Sequence, residues 1–583
     1  MIAGRSLTGR DEGASPPTPG PVIGRRGARV VLAIAIVAFV VQGWFLAGVL
    51  VDWSELLAQF AAPLPRQLVM KSGTAHIDDP CGGRWLAVTA SRPSVAWCAG
   101  GLGWPILVTP YIGGIHYWPL QLLRPLHHGD PVALRRLALP MGIVALIVVF
   151  LLVERLSDSA RAATSVSVAA ALPGFLILHA LPVFYELMPS LLIAGAALVV
   201  VTRSDTHVPP TRRRAAVAGL LAGLGVLANV KGVVIAVPAL GFAWRQSAAL
   251  RRTSRGACVA ALTAASLAVG PMVLGALVDP EKRFGHEIVW RLSIALSRLR
   301  PGPLVTEGYH LIVNAADLGS YFDVAQGGDG NVWLVTLVPC AVASVYCVRA
   351  LWRAVRGMPH DVVAAGCGAL QMFFLGFVWL SYNQIVASNY TPITYVFAVS
   401  LGCAVVAVAR RLGSYSGAPR ASLAITVAVA VAPLLVNTYR RDHGDMPLSI
   451  NVFAERALGS HLQHTAGGQV VVTTNALVGV PEAFTGVPSV RLDLALSGCQ
   501  GSTEAEDCRR QLLVETMRAL PQARFIVPLH TGIVDKSWEQ RMVAALTEAA
   551  ATLPAQMEEE ARFTTRNGEP VLGLMRVTAG PSR

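Results

Sequence analysis

Charged residues are scarce in this chain of 583 residues: Asp, Glu, Lys and Arg make up 14% of it, whereas 53% is hydrophobic. Lysine is especially rare, with four residues against 44 arginines. The mean hydropathy is +0.52, and this composition excludes a soluble enzyme. No internal repeat of the kind seen in transporters is visible. The net charge of +13 does not indicate nucleic acid, because most of it lies in short loops between apolar stretches.

Long apolar stretches dominate residues 29 to 437. They cover residues 29–51, 137–153, 162–180, 187–202, 215–230, 232–244, 257–278, 332–350, 362–380, 391–409 and 421–437. About 20 apolar residues in a helix cross the hydrocarbon core of a bilayer. The pair 215–230 and 232–244 is too short for two full crossings unless it is tilted or forms a tight hairpin. The sequence therefore predicts a polytopic α-helical membrane protein with about 11 transmembrane helices.

Arginine is distributed unevenly between the connections. The short loops 203–214, 245–256, 349–356 and 410–420 hold four, four, three and three arginines, whereas the turns 181–186 and 381–390 hold none. Basic loops are retained in the cytoplasm, so the N-terminus is predicted inside and the C-terminus outside. The first stretch is too long for a signal peptide and has no small-residue cleavage site, which favours a retained anchor. The excess of arginine over lysine suggests a high-GC bacterium, so the expected location is the bacterial cytoplasmic (inner) membrane, with a periplasmic C-terminus.

The nine cysteines agree with this topology. Five of them, Cys258, Cys340, Cys347, Cys367 and Cys403, fall within the apolar stretches, where a thiol packs as a small apolar group. The other four form two close pairs, Cys81 with Cys98 and Cys499 with Cys508, in segments predicted to lie outside. Disulfides persist on the oxidising side of a membrane, so both pairs are disulfide candidates.

The chain divides into three parts. Residues 1–28, rich in Gly, Pro, Ser and Arg, are predicted to be a disordered cytoplasmic tail. Residues 29–437 form the transmembrane domain, with long outer loops at 52–136 and 279–331. The second loop contains an amphipathic run at 288–299, which is typical of a helix lying on the membrane plane. Residues 438–583 are long enough for a small domain with its own core.

The C-terminal part alternates between the sequence periodicity of strands and that of amphipathic helices. Residues 469–474, 489–494 and 524–528 indicate strands, 503–519 and 536–552 indicate amphipathic helices, and 560–578 indicates a hairpin around Asn567 and Gly568. Alternating strands and helices favour a small extracytoplasmic α/β domain. It contains no phosphate-cradling glycine loop, catalytic triad or metal-ligand spacing, so a docking or acceptor-handling accessory is favoured over a second enzyme.

Three segments of the transmembrane part resemble motifs of one superfamily. Residues 104–120, WPILVTPYIGGIHYWPL, followed by Gly129-Asp130 and Leu134-Arg135, resemble the Tyr-x-Gly segment of GT-C membrane glycosyltransferases. Residues 218–232, AGLLAGLGVLANVKG, resemble their Gly-rich Thr-Lys-Gly signature, and residues 388–395, SNYTPITY, resemble their Arg-Tyr-x-x-Pro turn. The chain is similar to the protein O-mannosyltransferase and lipid A aminoarabinose transferase branches. The resemblance implies a GT-C-like fold over 29–437 and transfer of a sugar from a polyprenyl-phosphate donor to a glycan, lipid or protein acceptor.

Such an enzyme needs a carboxylate that activates the acceptor, and several acids are candidates. Asp52 follows the first stretch directly, where the superfamily carries its catalytic Asp, and Glu55 lies three residues further on. Asp78 and Asp79 lie nearer the usual distance before the Tyr-x-Gly segment, which leaves the identity of the base open. Glu186 falls in a predicted outer turn. Helix capping for Asp52 and an ordinary turn for Asp78 and Asp79 are the structural alternatives.

Cations must stabilise the charge that develops on the departing phosphate. Lys231 interrupts an apolar hairpin at its predicted outer turn, where the lipid A branch carries a lysine, so it is the candidate phosphate ligand. His116 and Tyr111 of the Tyr-x-Gly segment are candidate substrate-binding residues, and Glu55 is a further one. Snorkelling of Lys231 and an interfacial role for His116 are the alternatives. Asn389 stands where relatives carry Arg, so a phosphate contact of that Arg is missing or supplied elsewhere.

Two other functions remain open from the sequence. A non-catalytic GT-C-like subunit, or a glycan polymerase or ligase of the cell envelope, would keep the fold and change the chemistry. A secondary transporter would need charged residues and broken helices near the bilayer midplane, and the stretches contain few of either. A divalent cation is a possible cofactor, and no metal ligand set can be assigned. The expected partners are the polyprenyl-phosphate sugar, a cell-envelope acceptor and membrane lipid.

Overall fold

The structure is a computed structural model of the chain, and it describes part of the residues. These are residues 23–49, 67–71, 74–78, 98–99, 104–105, 107–109, 112–113, 115, 123, 126, 131–172, 175, 184–201, 209–246, 248–278, 283–298, 332–381, 392–442, 452–465, 471–474, 489–492, 505–529, 536–553, 555–564, 568 and 570–579. Most of the predicted N-terminal tail lies outside them.

Each of the 11 apolar stretches overlaps a helix in the described part of the chain. These helices are α1 (Arg25–Val49), α2 (Pro131–Leu156), α3 (Ser159–Ala171), α4 (Phe184–Val200), α5 (Arg212–Ala228), α6 (Lys231–Gln246), α8 (Arg255–Val278), α10 (Val332–Val355), α11 (Val362–Ser381), α12 (Thr394–Ser416) and α13 (Pro419–Asp442). The short α7 (Ala248–Arg251) and the amphipathic α9 (Arg283–Arg298) lie between them. Among the described helices, 7 are long and apolar enough to cross a membrane: α1, α2, α8 and α10 to α13. The chain is therefore a polytopic helical membrane protein, and α3 to α6 are its short members.

Helix α3 lies in the core of the bundle, against α1, α2 and α12. Ten of its 13 residues are buried, and six of those ten are alanines, which leave room for neighbouring backbones. Gly402 of α12 packs closely against α3, since a Cβ at residue 402 would lie only 2.5 Å from Ser165 Oγ. Asp158 caps the start of α3 by accepting a hydrogen bond from the backbone N–H of Arg161 at 2.9 Å.

Helices α5 and α8 run parallel and in close contact. A Cβ at Gly256 would lie 2.6 Å from Arg212 Nε, so the two helices begin level with each other. Further along, a Cβ at Gly219 would lie 2.1 Å from the carbonyl oxygen of Ala261. Small residues let membrane helices approach closely, and here α5 touches α8 through backbone atoms.

Replacing Gly219 with alanine should therefore force α5 away from α8 and lower the thermal unfolding midpoint of the protein in detergent. Overpacking of this kind costs about 1–3 kcal/mol. The matched control is Gly270→Ala on α8, because a Cβ at Gly270 meets no atom within 4 Å. Equal unfolding midpoints for the two variants would show that the close approach does not stabilise the bundle.

Charged side chains connect the arginine-rich loops at one end of the bundle. Arg161 forms ion pairs with Asp158 and, at 2.6 Å from Nη2 to Oδ2, with Asp361 at the start of α11. Arg410 near the end of α12 lies 3.0 Å from Asp158. Burial raises the pKa of the Asp158 carboxyl, but Arg161 and Arg410 outweigh it and hold that pKa below its usual range.

Other arginines at this end donate to backbone carbonyls where helices finish. Arg155 of α2 donates to the carbonyl of Leu198 at 2.6 Å, Arg214 of α5 to that of Val199 at 2.6 Å, and Arg245 of α6 to that of Val355 at 2.9 Å. Cations at helix C-termini are favourable because the unpaired carbonyls carry partial negative charge. All the arginine-rich loops thus meet at one end, which is called the arginine end below; the opposite end is called the loop end.

The C-terminal part forms the expected α/β domain. Its helices are α14 (Val452–Thr465), α15 (Ala505–Ala519) and α16 (Lys536–Ala551), and its strands are β7 (Val471–Thr473), β8 (Ser489–Arg491), β9 (Arg524–Pro528), β10 (Ala555–Thr564) and β11 (Pro570–Ala579). The strand order is β10-β11-β9-β7-β8, with β7 parallel to both β8 and β9, and β11 antiparallel to β9 and β10. The predicted strands, the two predicted helices and the closing hairpin are confirmed, and Gly568 in the hairpin turn has a φ of 87°.

Helix α14 covers one face of this sheet and was not predicted. It buries Ala454, Leu458 and Leu462 against residues of β10 and β11, while α15 and α16 cover the opposite face. The periodic spacing of these three residues, at i, i+4 and i+8, was a usable signal for a helix. The sheet therefore has helices on both faces and two separate core clusters.

The cysteines follow the predicted division. Cys258, Cys340, Cys347, Cys367 and Cys403 lie in the membrane helices and form no disulfide bond, as expected. Cys508 at the start of α15 is disulfide-bonded. The pairings of Cys508 with Cys499 and of Cys81 with Cys98 remain predictions.

A partly buried ion cluster joins α14, β9 and β10. Glu560 accepts hydrogen bonds from His461 at 2.9 Å and from Arg524 at 2.7 Å, and the Arg524 side chain is 6% exposed. Burial raises the pKa of Glu560, but the hydrogen bonds from His461 and Arg524 bring that pKa below its usual value of 4.5. The carboxylate therefore stabilises the folded domain when it is ionised.

Replacing Glu560 with alanine should lower the free energy of unfolding of this domain by about 3 kcal/mol, because the buried Arg524 charge loses its carboxylate. The wild-type advantage should be complete above pH 4.5 and disappear as the pH falls through the lowered pKa of Glu560. Pulse proteolysis of the intact protein in urea, following the C-terminal fragment, measures both effects. Glu558→Ala is the control, since Glu558 on the same strand is exposed and 3.7 Å from Arg576. A Glu558 variant as unstable as the Glu560 variant would contradict this account.

Candidate functional site

The turn between α5 and α6 lies at the loop end, at a lower level than the end of α8. Leu227 near the end of α5 packs against Met272 of α8, which fixes the level that α5 reaches. Helix α5 ends at Ala228, whereas α8 continues to Val278. At 1.5 Å per residue, α8 extends about 9 Å beyond its contact with Leu227. The end of α8 therefore rises beside the α5–α6 turn. This step between the two helices is called the recess below, and the turn is called its floor.

Asn229 and Lys231 form this floor. Asn229 is buried, and its Oδ1 accepts a hydrogen bond from the backbone N–H of Lys231 at 3.0 Å. Lys231 is half-buried and is the first residue of α6, whose N-terminal end carries partial positive charge. The floor of the recess is therefore electropositive. The sequence analysis did not single out Asn229, although an Asn two residues before a Lys in an apolar hairpin was a visible signal.

The first turn of α4 adjoins this floor. A Cβ at Gly225 of α5 would lie 3.1 Å from the carbonyl oxygen of Pro189, so the start of α4 packs on the end of α5. Ser190, the next residue, donates a hydrogen bond from its hydroxyl to the carbonyl of Pro392 at the start of α12. Glu186 is the third residue of α4 and lies one turn before Pro189. The structure thus brings the predicted outer turn with Glu186 beside two of the three resemblance segments.

The third segment reaches the same place through short hairpins of the first outer loop. The strands there are β1 (Gln67–Lys71), β2 (Thr74–Asp78), β3 (Cys98–Ala99), β4 (Trp104–Pro105), β5 (Leu107–Thr109) and β6 (Ile112–Gly113). The β5–β6 hairpin, inside the Tyr-x-Gly segment, packs with β6 against α5 and with β5 against α8. All three resemblance segments therefore adjoin the helices that form the recess.

Aromatic rings support the start of α12. Phe39 of α1 and Phe175 contact edge to face with centroids 5.5 Å apart, and Phe175 contacts Tyr395 at 5.7 Å. Such pairs stabilise by about 0.5–1.5 kcal/mol beyond area burial. This chain of rings ties α1, which precedes Asp52 in the sequence, to the segment that follows Asn389.

The described part of the chain includes only some of the predicted site residues. Asp52, Glu55, Asp79, Tyr111 and His116 lie outside the described residues. Asp78 ends β2 and Glu186 lies in the first turn of α4, but in both cases only the backbone is described. Lys231 lies at the floor of the recess. The catalytic and binding roles of these residues therefore remain proposals.

No metal site can be assigned within the described residues. They contain no group of three His, Cys, Asp or Glu side chains placed to hold a metal ion. The acids of the first outer loop lie outside them, so the possible divalent cation remains an expectation from the sequence.

The C-terminal domain adjoins the first outer loop. Strand β1 lies beside the edge strand β8, and β2 lies beside α15. Asp78 is the last residue of β2, so this candidate acid belongs to a hairpin that contacts the C-terminal domain. The domain is thus next to the loop that carries the acidic candidates.

Comparison with known proteins identifies the fold. No protein-family model matches the chain, and no curated protein matches its sequence. The crystal structure of ArnT from Cupriavidus metallidurans bound to undecaprenyl phosphate matches with a TM-score of 0.55 and 13% identity, over 95% of this chain and 98% of ArnT. The Archaeoglobus fulgidus oligosaccharyltransferase tethered with an acceptor peptide matches with a TM-score of 0.50 and 10% identity, over 86% of this chain and 69% of that one. The chain therefore has the fold of GT-C membrane glycosyltransferases, and the fold predicted from the motifs is confirmed.

Proposed function

We propose that this protein is a membrane glycosyltransferase that moves a sugar from a polyprenyl-phosphate donor to a glycan, lipid or protein acceptor of the cell envelope. The observation that supports the proposal is the turn formed by Asn229 and Lys231 at the start of α6. It belongs to one resemblance segment, and the other two segments contact the helices around it. The neighbour with the larger overlap, ArnT, is bound to undecaprenyl phosphate, which supports a lipid phosphate as the ligand.

The arginine end faces the cytoplasm in this proposal, and the recess opens on the outer face of the bacterial cytoplasmic membrane. Basic loops favour the cytoplasmic side, and the arginine-rich loops meet at one end of the bundle. The N-terminus is then cytoplasmic and the C-terminal domain periplasmic. A polyprenyl chain would lie among the helices while its phosphate reaches the recess.

The proposed reaction is a direct displacement with inversion at the anomeric carbon. Asp52 accepts the proton of the acceptor hydroxyl or amine, and the acceptor atom bonds to the anomeric carbon. The bond from that carbon to the phosphate oxygen breaks, and the polyprenyl phosphate leaves with the bonding electrons. Lys231 stabilises the charge on the departing phosphate, and a bound divalent cation would supply the same stabilisation.

The other candidates have supporting roles. Glu186 is the second candidate for the base, because the first turn of α4 adjoins the recess floor. Tyr111, His116 and Glu55 would contact donor or acceptor. Asp78 and Asp79 belong to the loop beside the C-terminal domain. We assign that domain to docking or handling of the acceptor.

A transfer assay tests the function. The purified protein in proteoliposomes is supplied with a panel of radiolabelled polyprenyl-phosphate sugars and an envelope extract as acceptor. Transfer of label from one donor, with release of polyprenyl phosphate, is expected, and vesicles without protein are the control. If no donor is consumed, a non-catalytic subunit of envelope assembly with the same fold becomes the better account.

A further inference from the structure

Helix α9 differs from the membrane helices around it. It has 16 residues and follows the end of α8 after four residues. Arg291 of α9 donates a hydrogen bond from Nη1 to the carbonyl oxygen of Ser381, the last residue of α11, at 2.8 Å. Two independent connections thus place α9 at the loop end, beside the ends of two membrane helices.

One side of α9 is apolar and lacks a protein cover among the described residues. Ile288, Val289, Leu292 and Leu296 are 46%, 66%, 58% and 68% exposed. At 100° per residue these four positions lie within an arc of about 100° on the helix surface. A helix in water would not present four large aliphatic side chains on one side.

The opposite side of α9 faces the bundle. Ile294 and Arg298 are buried, and on the helix surface Arg298 lies between Ile294 and Arg291. The flanking Ser293 and Ser297 donate hydrogen bonds to the carbonyls of Trp290 and Ile294. The helix therefore has one side that packs on the bundle, a flank whose serine hydroxyls are hydrogen-bonded within the helix, and an apolar side.

The neighbouring helix indicates what covers the apolar side. The last turns of α8 expose Leu274 by 48% and Leu277 by 76%, and a spanning helix exposes such residues to hydrocarbon. The lipid-facing surface therefore reaches the point where the chain turns into α9. Trp290 and Arg291, whose guanidinium carbon lies 5.6 Å from the Trp290 ring centroid, form an aromatic and cationic pair typical of membrane interfaces.

We propose that α9 is an interfacial helix whose Ile288, Val289, Leu292 and Leu296 insert into the bilayer leaflet at the loop end. The occupant of its apolar side is the boundary between headgroups and acyl chains, at a depth of about 5–10 Å. Through Arg291 the helix holds the end of α11, directly before the connection to α12 that carries Asn389. The lipid surface thereby holds α9 at the end of α11.

Nitroxide labels on single cysteines test this insertion. The background chain is Cys258→Ala, because Cys258 is a free and partly exposed thiol, and the background chain without an added cysteine is measured first. Labels at L292C and L296C report the apolar side, and labels at S293C and S297C report the flank of the same helix. The protein is reconstituted in nanodiscs, and collision rates with oxygen and with a water-soluble nickel chelate are measured.

The ratio of oxygen to nickel collisions should be severalfold higher at positions 292 and 296 than at 293 and 297. Equal ratios at all four positions would place the apolar side in water and overturn the proposal. Exclusion of both reagents from 292 and 296 would show a protein cover, either another segment or a second copy, and would also overturn it. The result does not depend on transfer activity, so it stands apart from the proposed function.

Discussion

Replacing Lys231 with alanine should slow sugar transfer by about 10²-fold or more, the loss typical of removing one charged or hydrogen-bonding stabiliser of a developing oxyanion. Lys231 is the first residue of α6, at the floor of the recess, where the departing phosphate is proposed to be held. The α5–α6 turn should keep its structure, because the hydrogen bond from residue 231 to Asn229 Oδ1 is donated by the backbone N–H and not by the lysine side chain. Initial rates in proteoliposomes with saturating donor measure the effect.

Two further variants separate charge from structure. Lys231→Arg keeps the charge in a planar group and should retain part of the activity. Arg411→Ala removes an exposed cation at the arginine end. This variant should keep both the transfer rate and the unfolding midpoint of the wild type. If Lys231→Ala transfers sugar as fast as Arg411→Ala, the lysine is a snorkelling side chain and the phosphate is bound elsewhere.

Replacing Asp52 with asparagine should reduce transfer by about 10²–10⁴-fold, the usual contribution of general base catalysis. Asparagine preserves shape and hydrogen bonding but cannot accept the proton of the acceptor. The reduction should appear in the rate at saturating donor, and donor binding should change little. Single-turnover rates with preloaded donor, measured across pH, provide this separation.

Variants of the other candidate acids test whether Asp52 is the base. Asp78→Asn and Asp79→Asn should have small effects on the saturated rate, since β2, which ends at Asp78, adjoins the C-terminal domain. Glu186→Gln is the competing assignment, because Glu186 lies in the first turn of α4 near the recess floor. Loss of transfer in Glu186→Gln together with full activity in Asp52→Asn would move the base to Glu186.

Features that depend on local periodicity were predictable from the sequence. The strand at 524–528 appears at the predicted residues, and the helix predicted at 536–552 runs from Lys536 to Ala551. Amphipathic spacing and apolar length are properties of short segments, so they survive without knowledge of tertiary contacts. The same reasoning explains why all 11 apolar stretches overlap a helix in the described residues.

The recess was not predictable, because it depends on contacts between distant segments. Its floor is low because α5 ends at Ala228 while α8, packed against it through Gly219, continues further. Sequence hydropathy indicates that 215–230 is short, but it does not identify the neighbour that extends past it. The ion pair between Arg161 and Asp361 joins residues 200 positions apart and leaves no local signal.

Equilibrium binding of tritiated undecaprenyl phosphate to the protein in nanodiscs tests the central claim, that a lipid phosphate is held at the recess floor. The account predicts binding by the wild type and by Arg411→Ala, and an affinity at least about tenfold weaker for Lys231→Ala, which corresponds to about 1.4 kcal/mol. Equal affinities for the three proteins, or no binding by the wild type, would contradict it.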